Sequence, residues 1–262
     1  MRFSVIIPNY NSARWIEKCL DSIREQTYKD YEIIIVDDMS IDNSVDIIAR
    51  YIKKHKLKNC LLEVNCEKRW NGGTRNAGVE DAKGDYIIFI DCDDWFDNNK
   101  CFEKISEAID LYNKPDCIRL PYRFVARMGG MTMKLHEESL KELVNSIFIA
   151  PWTKCIKREL FVPFPENTLI EDVVQHIAQI DNIETLGYCN EPIVVWNRTN
   201  EDAISAEKRH YDRESKRYTS IYRNLADLLD LRCKHDYCEQ HRQFRIKAYY
   251  DIIHNGKEST IV

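Results

Sequence analysis

The chain has 262 residues, 44% of them apolar and 31% charged, with eight glycines and seven prolines; this excludes a disordered or collagen-like chain and leaves room for one large α/β domain or two small ones. The longest apolar runs, Ile33–Val36 and Tyr86–Ile90, fall far short of the ~20 residues that span a bilayer, and Met1–Pro8 lacks the length and cleavage site of a signal peptide, so a cytoplasmic location is expected, with peripheral contact at the inner membrane face as a variant. The net charge of −5 divides unevenly, with 26 basic against 34 acidic residues over 1–206 (net −8) and 12 against 9 over 207–262 (net +3), which predicts a boundary near residue 206.

Phe3–Ile7 is a short apolar strand ending at Pro8, which cannot donate to a sheet ladder. Ile16, Leu20 and Ile23 follow at helical spacing, with Asn11 or Ser12 as the expected cap. Glu32–Val36 is a second buried strand closed by Asp37 and Asp38, and Asp42 or Asn43 begins a helix with the stripe Val45, Ile48, Ala49 and Ile52. Leu61–Val64 and Tyr86–Ile90 are the third and fourth strands, Thr74–Ala82 is a helix between them, and Phe102, Ile105, Ile109 and Tyr112 mark another. This alternation predicts a mostly parallel central sheet flanked by helices. The ten cysteines, among them Cys19, Cys92, Cys117 and Cys155, stand singly among apolar neighbours and read as reduced thiols that fill space.

In such sheets ligands gather at the carboxyl ends of the strands. Three segments lie there: Pro8-Asn9-Tyr10-Asn11-Ser12, Asp37-Asp38-Met39-Ser40 and Asp91-Cys92-Asp93-Asp94-Trp95. Any one of these acids could serve a turn or a cap. Five of them on one sheet edge, with no obvious set of basic partners, point instead to a divalent cation. No glycine follows the first strand and no G-x-x-x-x-G-K-[ST] occurs, which argues against a dinucleotide fingerprint or a P-loop. The glycine-rich run Asn71–Gly78 is expected to bring backbone close to a phosphate at a helix N-terminus, with Arg75 adding a charged fork.

Taken in order, Ser4–Asn11, Leu20–Thr27, Glu32–Ser44, Gly73–Gly78, Gly84–Trp95, Trp152–Lys154 and Ile170–Asp172 resemble the family 2 glycosyltransferases. The resemblance is near-continuous over residues 3–110 and motif-like from 150 to 206. It implies the GT-A fold: a catalytic domain over 1–206, with a nucleotide-sugar-binding half (1–110) and an acceptor half (111–206), followed by a helical extension over 207–262. It further implies inverting transfer from a nucleotide-diphosphate sugar, usually a UDP-sugar, to a hydroxyl. Pro8, Tyr10, Asn11 and Asp38 correspond to the donor's nucleotide pocket, and Arg75 to the residue that steadies base or diphosphate. Tyr10 offers a face for stacking and Asp38 an acceptor for a ring N–H. Asp91-Cys92-Asp93 matches the D-x-D motif, which implies that Asp91 and Cys92 line the donor site, in reach of a ribose hydroxyl, and that Asp91 and Asp93 would share Mn²⁺ or Mg²⁺ with the diphosphate. Asp94 adjoins the donor sugar in this reading.

The later half is sparser. Leu140, Leu143, Val144 and Ile147 form a helical stripe, and Trp152 presents its indole either to an acceptor sugar or to the core. Glu171 and Asp172 open a helix carrying Val173, Val174, Ile177 and Ile180, and acids in a first turn also suit the helix dipole on their own. The family places its catalytic base at the second acid, Asp172, leaving Glu171 to orient the loop or touch the acceptor. His176 reads as structural. Arg198, within Trp196–Ser205, corresponds to an arginine near the diphosphate, and Asn197-Arg198-Thr199 spells a glycosylation sequon.

Beyond 206 the pattern is helical and the resemblance ends. Cys233, His235, Cys238 and His241 lack a standard zinc frame, and on a continuous helix Cys233 would point away from the others. The segment's basic, aromatic character suits a cover over the acceptor side, and equally an anionic lipid surface, a phosphorylated acceptor, a nucleic acid or a second subunit. The acceptor classes left open are a glycan, a lipid-linked glycan, a nucleic acid or another hydroxyl-bearing molecule. Two competing functions are a carboxylate-pair glycoside hydrolase, which needs no nucleotide pocket, and a non-catalytic nucleotide-sugar binder. The joint presence of Asp91-x-Asp93 and Glu171-Asp172 argues against the second.

Overall fold

The computed structural model describes residues 1–126, 129–133, 150–166, 171–180 and 182–201. The stripe Leu140–Ile147, the side chains of Val173, Val174 and Ile177, Ser205, and everything expected of 207–262, including Cys233, His235, Cys238 and His241, lie outside the described residues.

Four parallel strands form the heart of the fold: β1 (Phe3–Asn9), β2 (Tyr31–Asp37), β3 (Cys60–Val64) and β4 (Tyr86–Phe89). Between them run α1 (Ile16–Arg24), α2 (Ser44–His55) and α3 (Trp70–Glu80). After β5 (Trp95–Phe96) and α4 (Cys101–Leu111), the chain adds β6 (Cys117–Arg119), β7 (Tyr122–Ala126), β8 (Gly129–Met133), β9 (Lys154–Lys157), α5 (Glu171–Ile180), β10 (Leu186–Tyr188) and β11 (Val194–Asn197). The main sheet has seven strands in the order β10-β6-β9-β4-β1-β2-β3, with β9 antiparallel to both neighbours. A second sheet, β5-β11-β7-β8, was not legible in the periodicity.

Strands buried on both faces read as unbroken apolar runs, as the centres of β1, β2 and β4 do, while the edge strand β3 is partly exposed. Val5 and Ile7 pack in one cluster with Ile33, Ile35 and the helix residues Ile16, Leu20, Ile23, Phe102 and Ile105. Their neighbours Ile6, Ile34 and Val36 face the other way, onto Ala77, Ile87, Phe89 and Phe164. Pro8 is tolerated within β1 because the ladder to β4 ends opposite Ile6, at Phe89. All eight described cysteines are free thiols, five of them buried. Among the described residues no helix is long and apolar enough to cross a membrane.

Three local expectations change. Helix α1 starts at Ile16, after the Ser12 carbonyl has accepted from Trp15 and Ile16, so neither Asn11 nor Ser12 caps it through its side chain. In α2, Asp42 Oδ1 accepts from the Ser44 amide at 2.9 Å, and Tyr51 is buried where Ala49 is exposed. Helix α3 begins at Trp70, four residues before the expected Thr74, so Gly72 and Gly73 lie inside it. A Cβ on Gly72 would sit 2.6 Å from the Pro165 carbonyl oxygen, and one on Gly78 would sit 2.5 Å from Ile6 Cγ2. These glycines therefore let α3 approach its neighbours.

The strand order runs outward from β1 on one side through β2 and β3, and on the other side through β4. This reversal leaves a crevice at the carboxyl ends of β1 and β4, where doubly wound sheets bind ligands. A Gly78→Val variant is expected to lose about 1–3 kcal/mol of stability, the usual cost of overpacking a close contact, measured as a lower denaturant midpoint at unchanged slope.

Candidate active site

At the end of β1, Asn9 Nδ2 donates to Asp37 Oδ1 at 2.6 Å, and Asp37 Oδ2 accepts from the Ser40 amide at 2.8 Å. Asn11, at a positive φ of 49°, accepts at Oδ1 from the Ile41 amide (2.8 Å) and donates its own amide to Ser40 Oγ (2.9 Å). Asp37 and Asn11 thus stitch the β1 and β2 loops together, and Pro8 is buried beside them. Tyr10 is 44% exposed on this edge. Asp38 is buried: Oδ1 accepts from the Arg69 amide (2.8 Å) and Asn65 Nδ2 (3.0 Å), Oδ2 accepts from the Trp70 amide (2.9 Å), and Lys68 Nζ stands 3.2 Å from Oδ2. Burial works to raise its pKa, but the Arg69 amide, Asn65 and Lys68 outweigh it and hold the carboxyl below its ordinary value.

Arg75 lies at the centre. Its Nη2 donates to Asp91 Oδ1 at 2.8 Å and its Nη1 to Glu171 Oε1 at 2.9 Å, with Arg75 and Glu171 both buried and Asp91 one-third exposed. One guanidinium therefore joins the D-x-D segment to the first turn of α5. Its buried Nε has no partner among the described residues. Around it, Asn76 donates to and accepts from the backbone of Phe164 (2.9 and 2.8 Å), and Arg69 pairs with Glu166 at 2.7 Å. Burial, with Asp172 adjacent, outweighs Arg75 and pushes Glu171 up to about 7. Asp172 stands beside it, half-buried.

The acids after β4 differ in their surroundings. Asp93 Oδ2 accepts from Asn200 Nδ2 at 2.7 Å, and burial, then the charge of Asp91, raises its pKa. Asp94 is 1% exposed, its Oδ1 accepts from the Asn197 amide at 2.8 Å, and burial with Asp93 and Asp91 holds it well above the carboxylate range. Burial, then the charges of Asp93 and Asp91, likewise pushes the Cys92 thiol up. The picture of acids without basic partners is corrected, since Lys68 and Arg75 are paired with two of them. Among the described residues no group of three His, Cys, Asp or Glu side chains is arranged to hold a metal. Asp91 and Asp93 still fit a cation of the magnesium type. They are two hard-oxygen donors whose mutual repulsion a cation would relieve, and such ions take their remaining ligands from phosphate and water.

Other expected positions fall further from the opening. Asp94 is buried and anchors the end of β11 through the Asn197 amide. Trp152 is 5% exposed, edge-on to Tyr122 at 4.9 Å and tilted on Trp196 at 6.1 Å, so its indole belongs to the core. Arg198 is exposed on the same side, its guanidinium 4.9 Å from the Trp196 ring. Sequence reasoning missed Asn65, Lys68 and Asn200, which hold Asp38 and Asp93. The run Lys68-Arg69-Trp70, cations beside an aromatic just after a strand, was the available signal for one of them. It also missed the buried pair of Lys154 Nζ and His176 Nδ1, 3.0 Å apart.

Comparison with known proteins agrees with this geometry. The model of glycosyl transferase family 2 matches residues 4–150. A poly(ribitol-phosphate) β-glucosyltransferase of Bacillus spizizenii is 44% identical over 97 residues, 36% of this chain and 15% of that protein. The poly(ribitol-phosphate) β-N-acetylglucosaminyltransferase TarS of Staphylococcus aureus is 36% identical over 176 residues, 63% of this chain and 30% of TarS. The chain thus spans less than a third of the length of these curated relatives. Among solved structures, TarS 1–349 in complex with UDP-GlcNAc superposes with a TM-score of 0.76 at 20% identity, covering 96% of this chain and 73% of that one. The mannosyltransferase PcManGT from Pyrobaculum calidifontis, in complex with GDP-Man and Mn²⁺, gives 0.61 at 19% identity over 97% of this chain and 70% of its own. The fold is therefore of the GT-A type.

The raised Glu171 value has a consequence for stability. A carboxyl whose folded pKa lies above its ordinary 4.5 stabilises most below that pH, and the contribution is lost as pH rises toward 7. Glu171→Gln removes this loss, so the variant's melting temperature relative to wild type is expected to climb between pH 4.5 and 7 and then level off. A difference independent of pH in thermal unfolding would contradict the assignment.

Proposed function

The chain belongs to glycosyl transferase family 2, and from that premise we propose that it transfers a sugar from a nucleoside-diphosphate sugar, UDP-linked, to an acceptor hydroxyl with inversion at the anomeric carbon. The observation that carries this reading is the Arg75 bridge. Two acidic motifs far apart in sequence, Asp91-x-Asp93 and Glu171-Asp172, stand at the two ends of one buried guanidinium. Direct displacement needs this pairing: one group of side chains for the departing diphosphate and a separate carboxylate for the attacking hydroxyl.

In this reading Tyr10 and Asp38 receive the base, and Asp91 and Asp93 would hold a divalent cation. When bound, such a cation neutralises charge on the diphosphate. Arg75 orients the Asp91 carboxylate. Asp172 accepts the acceptor's proton while the hydroxyl oxygen bonds to the anomeric carbon and the bond to the diphosphate breaks; a single displacement inverts configuration. Glu171, locked to Arg75, fixes the first turn of α5 and so the position of Asp172. Residues 1–206 serve as the catalytic unit, with the acceptor half after residue 110. Relatives that act on poly(ribitol phosphate) favour a polyol or glycan hydroxyl as the acceptor class.

Asp172→Asn is expected to bind UDP-sugar about as wild type and to lose on the order of 10²–10⁴-fold in transfer rate, the usual contribution of a positioned base. Anomeric proton couplings of the product, followed by NMR from the first turnover, report the stereochemistry, and a retained configuration would refute single displacement. Asp93→Ala should abolish the extra thermal stabilisation that Mn²⁺ adds to UDP, measured against the variant's own apo melting temperature. A Mn²⁺ effect of wild-type size would remove Asp93 as a ligand.

A further inference from the structure

We propose that Lys68 is an exchangeable occupant of the nucleobase slot, holding before the donor arrives the aromatic face and the carboxylate oxygen that the base takes on binding. The proposal rests on the reading of Tyr10 and Asp38 as that slot. Lys68 Nζ lies 2.9 Å from the centre of the Tyr10 ring, 3.2 Å from Asp38 Oδ2 and 2.9 Å from the Asp38 carbonyl oxygen. It covers the surface on which a base would stack.

The Arg69 amide, the Trp70 amide and Asn65 Nδ2 hydrogen-bond to the Asp38 carboxylate, which offers about four lone-pair positions. Lys68 Nζ stands 3.2 Å from Oδ2 as an ion pair, while its hydrogen bond goes to the Asp38 carbonyl oxygen. A base stacked on Tyr10 and donating to Asp38 needs the space of one of these four groups. Two are main-chain amides at the start of α3, where Trp70 is held at a φ of +59°. Asn65 is tied on its other side to Thr74 Oγ1 at 3.3 Å. Lys68, about one-third exposed on a flexible four-carbon stem, is the donor that can leave.

A flat base carrying an N–H next to a carbonyl, as uracil does, replaces both contacts of the ammonium at once. It stacks on Tyr10 and donates to Asp38, whose carboxylate keeps the Arg69 and Trp70 amides and Asn65 as donors. Because the competent slot exists only while Lys68 is out, apparent affinity for the base is reduced by the open fraction. Removing the lysine removes that reduction.

Uridine is the suitable probe, since it carries the base and no phosphate that the lysine could attract. Titrated by NMR or calorimetry, Lys68→Ala and Lys68→Gln should each bind uridine at least threefold more tightly than wild type, while Lys68→Arg, which keeps a cation over the ring, should stay near wild type. Unchanged or weaker uridine binding in the Ala and Gln variants would overturn the proposal. Tyr10→Ala separates the two levels. Lost uridine binding there supports the slot itself, so a failure confined to the Lys68 variants refutes the exchange alone. Undiminished uridine binding in Tyr10→Ala would instead refute the slot, and the exchange with it.

Discussion

Arg75 is enclosed between a strand end and a helix start, and its two ion pairs are the constraint on which the site depends. At 2.8 and 2.9 Å from Asp91 and Glu171, the guanidinium has little water between it and either acid. Taking three charges out of water is costly, and the attraction offsets that only when geometry and hydrogen bonding are good. Losing one member of such a buried set typically costs about 3–5 kcal/mol, because the others are left uncompensated. Arginine suits the position better than lysine, since its rigid fork can serve two carboxylates at once.

Helix α3 is the physical joint between the halves of the described structure. Its glycines bring its backbone against Pro165 on one side and Ile6 on the other, distances that no side chain would permit. Asn76 completes the joint by bonding both main-chain groups of Phe164, as a neighbouring strand would. With α3 held this way, Arg75 needs only its own length to reach both acidic motifs. The second sheet adds a similar tie: Asp94 bonds the Asn197 amide and Asp93 the Asn200 side chain, so the acids after β4 also fix the far end of β11.

Neighbouring carboxylates behave differently because of what faces them. Asp38 collects amide, Asn and Lys donors and stays below its ordinary pKa despite burial. Asp93 and Asp94 are driven upward by burial and then by the other acids of their short loop. The first is a carboxylate already satisfied by the protein, whereas the second set gains most from an added positive charge.

The sequence by itself determined three of the four parallel strands, since Val5–Ile7, Ile33–Val36 and Ile87–Phe89 are apolar on both faces and only a doubly covered sheet buries them. It also determined which loops share an edge, because Asn9–Ser12, Asp37–Ser40 and Asp91–Asp94 all follow strands of that sheet. Local residue preference was misleading for α3, where Gly72 and Gly73 argue against a helix that close packing nevertheless imposes. Nor could spacing disclose partners distant along the chain: Arg75 with Glu171, Asp38 with Lys68, Asp93 with Asn200, or Trp152 turned into the Tyr122–Trp196 cluster. Periodicity reports which face of an element is buried. Which side chains from different elements then meet depends on how those elements pack, and that only the tertiary structure decided.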